Sequence, residues 1–298
     1  MIPKPTIGFI GVGRMGWPMA VRLAADYDLV VSDISDDRVA DFMGGVQARR
    51  ASDNAALARQ SGVVFLMLPT SAVVEQVMWG DGGVLAGLQP GAIVVDMGSS
   101  IPAQTRALAV AVAGKDAVLI DAPVSGGVGR AQTGELAIMA GGPASALEAV
   151  RPMLLRMGPQ VMHTGEVGTA HAMKALNNLA SAAGLLISLE TLAIGAKFGL
   201  EPSTMVDVLN ASTGMNNATQ KKLKQFVLSR RFDAGFGLDL MVKDLGIAVD
   251  LARQTGSPAP FAGLCHELWA GAAQFLGPGR DHTEVAKLVE ALAGVELR

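Results

Sequence analysis

Along the first half of the chain, short apolar runs alternate with alanine-rich stretches of helical period. Thr6–Ile10, Leu29–Asp33, Val63–Leu68, Ile93–Asp96 and Val118–Asp121 are rich in β-branched residues and lack a polar face. That is the pattern of strands buried on both sides. Each runs into turn residues and then a helical stretch, which predicts βαβ units and a parallel, doubly wound sheet. Punctuation agrees: Ser52 is placed to cap a helix over Ala55–Arg59, and Pro102 suits the first turn of one over Ala103–Ala113. Glu135–Ala140 and Val161–His163 predict further strands. After about Gly168 the period changes. One helix is expected over Thr169–Phe198, stopped by Gly199, and another from Glu201-Pro202 through Leu209. Further helices are expected at Thr219–Leu228, Leu238–Arg253, Phe261–Phe275 and Thr283–Ala293. The expected fold class is α/β: the sheet domain over 1–166 and an all-helical domain over 167–298, joined by the long helix.

Half of the 298 residues are apolar, enough for two cores, while 17% are charged and the net charge is −3. With no basic stripe, nucleic acid and an anionic membrane are not expected partners. Mean hydropathy is +0.37. The longest apolar stretch, Leu179–Ala196, is interrupted by Ser181, Ser188 and Glu190, so a buried helix is expected there and no membrane span. Met1–Pro5 leads straight into the first strand; no signal peptide and a cytoplasmic location are expected. Cys265 is the sole cysteine and is expected to be a small buried apolar residue. His163, His171, His266 and His282 show no metal-ligand spacing, so no metal is expected.

The first strand runs into Gly11-Val12-Gly13-Arg14-Met15-Gly16, a GxGxxG motif between a strand and a helix. There Gly11 allows a tight turn, Gly13 lets a pyrophosphate approach the backbone, and Gly16 lets the helix pack against the strand. The helix N-terminus supplies N–H groups and partial positive charge. Asp33, 22 residues after Gly11, closes the second strand. A carboxylate there accepts from the adenosine ribose and repels a 2′-phosphate, which favours NAD; Arg38 keeps NADP in view. Leu68-Pro69-Thr70 and Gly98-Ser99-Ser100 follow two more strands and face the same crevice, where Thr70 and Ser100 are cofactor contacts or plain helix caps.

Three segments carry candidate chemistry. Asp121-Ala122-Pro123-Val124-Ser125-Gly126-Gly127 ends in a turn that exposes backbone N–H groups and one hydroxyl, suited to a carboxylate. Lys174 and Asn178, four apart, share one face of an otherwise apolar helix, where an idle cation and amide would be costly. The third segment is Phe236–Leu245.

These motifs resemble the β-hydroxyacid dehydrogenase family, whose members include 3-hydroxyisobutyrate dehydrogenase and tartronate semialdehyde reductase. The resemblance is carried by GFIGVGRMG at the start, LPTS at 68–71, DAPVSGG at 121–127, KALNN at 174–178 and LMVKDLGIA at 240–248. It implies a Rossmann-type domain followed by a helical one, and metal-free hydride transfer between NAD and a small hydroxy acid. It also implies that Lys174 is the catalytic lysine, that Ser125, Gly126 and Gly127 hold the substrate carboxylate, and that Asn178 orients the substrate. Lys243 would close over the cofactor, and Val12, Arg14, Met15, Pro69 and Ser100 would contact it. Ala170 departs from the family's frequent glycine, and Ser99-Ser100 replaces its usual Ser-Thr.

A lysine of ordinary pKa, about 10.4, is a poor base at neutral pH. Burial and the positive nicotinamide ring would lower it, giving an alkaline optimum for oxidation. A homodimer or homotetramer is expected from the small-residue faces of the helical half. Three other readings stand beside this one, of which a 6-phosphogluconate dehydrogenase would be longer and would carry a His-Asn-Gly run where this chain has Asn177-Asn178-Leu179. An NADPH-dependent imine reductase would be expected to lack the lysine, and so would a non-catalytic dinucleotide-binding scaffold.

Overall fold

The apolar runs of the first half form one sheet. In the computed structural model, which describes residues 5–298, the chain divides into two units, one ending at Lys174 and one spanning Ala175–Arg298. The strands are β1 (Thr6–Ile10), β2 (Asp28–Ser32), β3 (Ala48–Arg50), β4 (Val63–Leu66), β5 (Ile93–Asp96), β6 (Val118–Asp121), β7 (Val124–Ser125), β8 (Ala137–Gly141) and β9 (Gln160–Gly165). Their order is β3-β2-β1-β4-β5-β6-β8-β7, with β9 paired to β8. The first six are parallel, and β8 runs antiparallel to β6 and β7. The 3-2-1-4-5-6 order is that of the dinucleotide-binding folds, with a switch point between β1 and β4.

Successive residues of each strand bury on opposite faces. Ile7, Phe9, Val31, Phe65, Val95 and Ile120 pack with α1 (Gly16–Ala24), α2 (Asp36–Gly45), α7 (Gly127–Thr133) and α8 (Ala144–Met157). Ile10, Val30, Val64, Leu66, Val94 and Leu119 pack with α3 (Asn54–Arg59), α4 (Ser71–Trp79), α5 (Val84–Gly87) and α6 (Pro102–Ala113) on the other. Two apolar faces need continuous apolar runs, which is why these strands stand out in the sequence.

Two strands depart from expectation by appearing at all. β3 is a three-residue edge strand, Ala-Arg-Arg, whose exposed arginines hide it from an apolar pattern. β7 is two residues long. The cap of α3 is also corrected: Asp53, not Ser52, accepts from Ala56 N at 2.6 Å, and its carboxylate outcompetes the neighbouring hydroxyl. Pro102 opens α6 as expected.

The long helix, α9 (Thr169–Phe198), has the expected bounds and stops at Gly199. It starts just after the expected domain boundary at 166/167, and the two units divide inside it. By length and composition α9 could cross a bilayer, contrary to expectation. Its Ala182, Leu185, Leu189 and Leu192 nevertheless bury in the second unit's core around Trp269. That unit continues with α10 (Pro202–Asn210), capped by Glu201, then α11 (Asn217–Lys221) and a π-helical turn over Leu223–Leu228. One uninterrupted helix over Thr219–Leu228 is thus replaced by a break at Lys222, whose carbonyl accepts from both Phe226 N and Val227 N. α12 (Leu238–Thr255), α13 (Pro260–Leu276), a 3₁₀ turn over His282–Glu284 and α14 (Val285–Ala293) complete it.

Asp281 organises this end of the second unit. Its carboxylate accepts from Gly235 N and Thr283 N, pinning the loop before α12 to the turn before α14. Burial pushes its pKa up, but the hydrogen bonds from His282 and Thr283 outweigh that and hold it well below the usual range. Burial lowers His282, against the pull of Asp281. Cys265 is buried, and burial raises its thiol to about 11, consistent with a packing role.

Candidate active site

β1 delivers the chain to Gly11 at a φ of 95°, and a side chain there would meet Met67 O at 2.4 Å. A Cβ on Gly16 would lie 1.8 Å from Gly11 O. The turn and the first residue of α1 therefore touch backbone to backbone, which only glycine permits. Among the described residues no side chain caps α1 at Met15, so its first turn keeps the partial positive charge that suits an anion. Val12 is fully buried, Arg14 is exposed, and Gly13 and Met15 are half-buried. These features fit a dinucleotide pyrophosphate, which Gly11, Gly13, Gly16 and the first turn of α1 would hold.

Asp33, just beyond β2, is 6% exposed at its side chain. It accepts from Val12 N at 2.9 Å and Ser35 N at 3.0 Å, so it braces the glycine loop. The cap of α2 is Ser35. Arg38 Nη1 stands 3.7 Å from the Asp33 carboxylate.

At the end of β4, Leu68 is half-buried and Pro69 exposed, and Thr70 caps α4 by accepting from Val73 N at 3.3 Å. Of the two expected roles for Ser100, the structure removes the cap. The Ser100 hydroxyl turns inward to donate to Asp96 Oδ2 at 2.8 Å. Asp96 Oδ1 also accepts from Gly98 N at 2.9 Å. A buried carboxylate thus shapes the loop after β5.

β5 and β6 each end in an aspartate, and Asp96 and Asp121 are register partners, 1% and 0% exposed. Asp121 Oδ1 accepts from Gly168 N at 2.7 Å and Oδ2 from His171 N at 2.9 Å. It therefore caps α9 from the end of a strand. Gly141, at the end of β8, makes room for this: a Cβ there would lie 2.6 Å from Asp121 Oδ1 and 2.9 Å from Glu166 O.

From Asp121 the chain continues through Pro123 to Ser125, Gly126 and Gly127. Gly126 has a φ of 139° and Gly127 one of 71°, and the space beside Gly127 is open. Lys174 is 8% exposed, on the first turns of α9. One aspartate therefore bonds the strand leading into the Ser-Gly-Gly turn to the foot of the helix bearing the lysine, all within the first unit.

The second unit holds the other two predicted groups on one carboxylate. Asn178 Nδ2 donates to Asp244 Oδ2 at 2.6 Å, and Lys243 Nζ lies 3.1 Å from Asp244 Oδ1. Asp244 is 1% exposed. The sequence pattern assigns no bonding role to Asp96, Asp121, His171 or Asp244. The signal available for the first two was an aspartate closing each of two consecutive apolar strands, since a buried charge must be paired. Among the described residues no cluster of three or more His, Cys, Asp or Glu is placed to hold a metal.

Residues 6–165 match the profile of the NAD binding domain of 6-phosphogluconate dehydrogenase. Residues 168–289 match that described as NAD-binding of NADP-dependent 3-hydroxyisobutyrate dehydrogenase. The chain is 36% identical over 294 residues to 2-(hydroxymethyl)glutarate dehydrogenase of Eubacterium barkeri, covering 98% of this chain and 97% of that one. It is 35% identical over 274 residues to the mitochondrial 3-hydroxyisobutyrate dehydrogenase of Homo sapiens, covering 89% and 81%. The solved structure of Mycobacterium tuberculosis 3-hydroxyisobutyrate dehydrogenase with L-serine superposes with a TM-score of 0.86 at 28% identity, covering 97% of this chain and 99% of that one.

Proposed function

Because the chain belongs to the hydroxyacid dehydrogenase family that includes 3-hydroxyisobutyrate dehydrogenase, we propose that it oxidises a small 3-hydroxy acid at its hydroxyl carbon, with Lys174 as the proton-transfer residue. One observation carries this reading: Asp121 bonds to Gly168 N and His171 N while leading into Ser125-Gly126-Gly127. A carboxylate-binding turn and a buried lysine are thereby held in one framework.

A nicotinamide cofactor held at Gly11, Gly13 and Gly16 would supply the hydride acceptor. Ser125 and the N–H groups of Gly126 and Gly127 hold the substrate carboxylate, which fixes the distance to the reacting carbon. Lys174 Nζ hydrogen-bonds the substrate oxygen, takes its proton as the C–H hydride leaves, and returns it in the reverse direction. Asn178 helps orient the substrate, and it shares the Asp244 carboxylate with Lys243. The substrates named for the two relatives share a carboxylate and a CH₂OH on its α-carbon, which favours that class here.

NAD is the favoured cofactor, since a buried Asp33 carboxylate repels a 2′-phosphate. The protein would work as a dimer or tetramer. The test is cofactor reduction against a panel of small 2- and 3-hydroxy acids, with NAD and with NADP, from neutral to alkaline pH. We expect NAD reduction with 3-hydroxy acids, rising as pH rises. No turnover with any hydroxy acid, or a rate unchanged to pH 10, would overturn it.

A further inference from the structure

The two strand-end aspartates pose an electrostatic problem that the glycine loop and the lysine do not solve. Asp96 and Asp121 stand side by side in register on neighbouring strands, both out of contact with water. Like charges opposite one another across a sheet repel, and burial strengthens the repulsion. Backbone amides and one hydroxyl meet their oxygens, and a buried imidazole also lies between them. His171, 1% exposed, places Nε2 3.7 Å from Asp96 Oδ2 and Nδ1 4.0 Å from Asp121 Oδ2. Its Nδ1 pairs with Thr105 Oγ1 at 2.8 Å on α6, while Nε2 has no hydrogen-bond partner among the described residues.

We infer that His171 is a positioning residue for the hydride-transfer chemistry, holding the lysine helix in register with the loops after β5 and β6. Each of its contacts leads to a different part of the site. Asp96 holds Gly98 N and the Ser100 hydroxyl, and so the loop after β5. Asp121 holds Gly168 N and His171 N, and so the foot of α9 and the strand entering the Ser-Gly-Gly turn. Thr105 ties the ring to the first turns of α6 and donates to Ile101 O at 3.1 Å. Lys174 is the next residue on the same helix face, three positions on. Removing the ring leaves two buried carboxylates abreast and a gap at the point where both loops and the helix meet. The segments they hold then move apart, and displacement of a catalytic group by about 1 Å can cost roughly 10²-fold in rate. The glycine loop and Asp33 hang from β1 and β2, away from this point in the sheet order, so the pyrophosphate and adenosine contacts that carry most of the cofactor affinity are spared.

The inference rests on the proposed role of Lys174, and the experiment separates the two. Wild type, Lys174→Ala, His171→Gln and His171→Phe are compared by kcat, KM for the best hydroxy acid, cofactor Kd by fluorescence, and melting temperature. Wild-type turnover that Lys174→Ala abolishes establishes the underlying reading; wild type without turnover refutes that reading instead. Given the first result, His171→Phe should lose about 10- to 100-fold in kcat, with KM and cofactor Kd within about threefold. His171→Gln, which keeps a donor near the same place, should recover part of the loss. A folded His171→Phe with wild-type kcat overturns the inference. So does a loss of cofactor affinity in step with kcat and melting temperature, the mark of a purely structural residue. If the Phe variant does not fold, Thr105→Val, close in shape but without the hydroxyl, is measured the same way. A fall in its kcat at unchanged cofactor Kd supports the inference, and an unchanged kcat overturns it.

Discussion

Single residues in this protein are read best by asking what each buried charge faces. Asp33 faces Val12 N, Ser35 N and Arg38, so it braces the loop, and in the proposed reading it also sets the choice of cofactor. Replacing it with alanine removes the repulsion toward a 2′-phosphate and releases Arg38 to meet one. The ratio of kcat/KM for NAD over NADP should then fall by about 10-fold or more, a shift of about 1.4 kcal/mol. An unchanged ratio in steady-state assays with both cofactors would remove Asp33 from the specificity argument. Lys174, Asn178 and Lys243 stand out in the sequence as polar residues in apolar helices. Their partners do not, because Asp244 looks like one half of an ordinary Lys-Asp pair until burial shows it holding Asn178 as well.

At the scale of elements, the strands and long helices were legible because both faces of the sheet are covered and the runs are unbroken. The expected Thr169–Phe198 helix appears with those bounds. What escaped were elements set by contacts rather than by pattern. β3 is an edge of arginines, the cap of α3 is a carboxylate beside a plausible serine, and the π turn at Leu223–Leu228 follows from shared acceptance at Lys222. The junction of β8 with the foot of α9 is another such contact. It closes only because residue 141 has no side chain. Gly141→Ala should push Asp121 off its amides and destabilise the fold by roughly 1–3 kcal/mol. Turnover should fall further than cofactor binding. Thermal unfolding and cofactor titration of this variant check both parts, and a variant as stable and active as wild type would contradict the account of the helix foot.

For the whole molecule, the two units take unequal parts. The glycine loop, Asp33, the Ser-Gly-Gly turn and Lys174 all belong to the first, while the Asn178–Asp244–Lys243 group belongs to the second. The second unit also leaves Ile194 72% and Phe198 85% exposed on α9, together with Phe261 and Phe275 on α13. Exposed apolar side chains such as these suit self-association. Sedimentation velocity at micromolar concentration should find a dimer or tetramer; a 30.7 kDa species alone would refute that.

The most direct test of the central claim compares Lys174→Ala with wild type in two measurements on one preparation, kcat for hydroxy-acid oxidation and the dissociation constant of the cofactor. The account predicts that kcat falls by at least about 10²-fold while the dissociation constant stays within about threefold. Turnover at the wild-type rate by a lysine-free enzyme would contradict it.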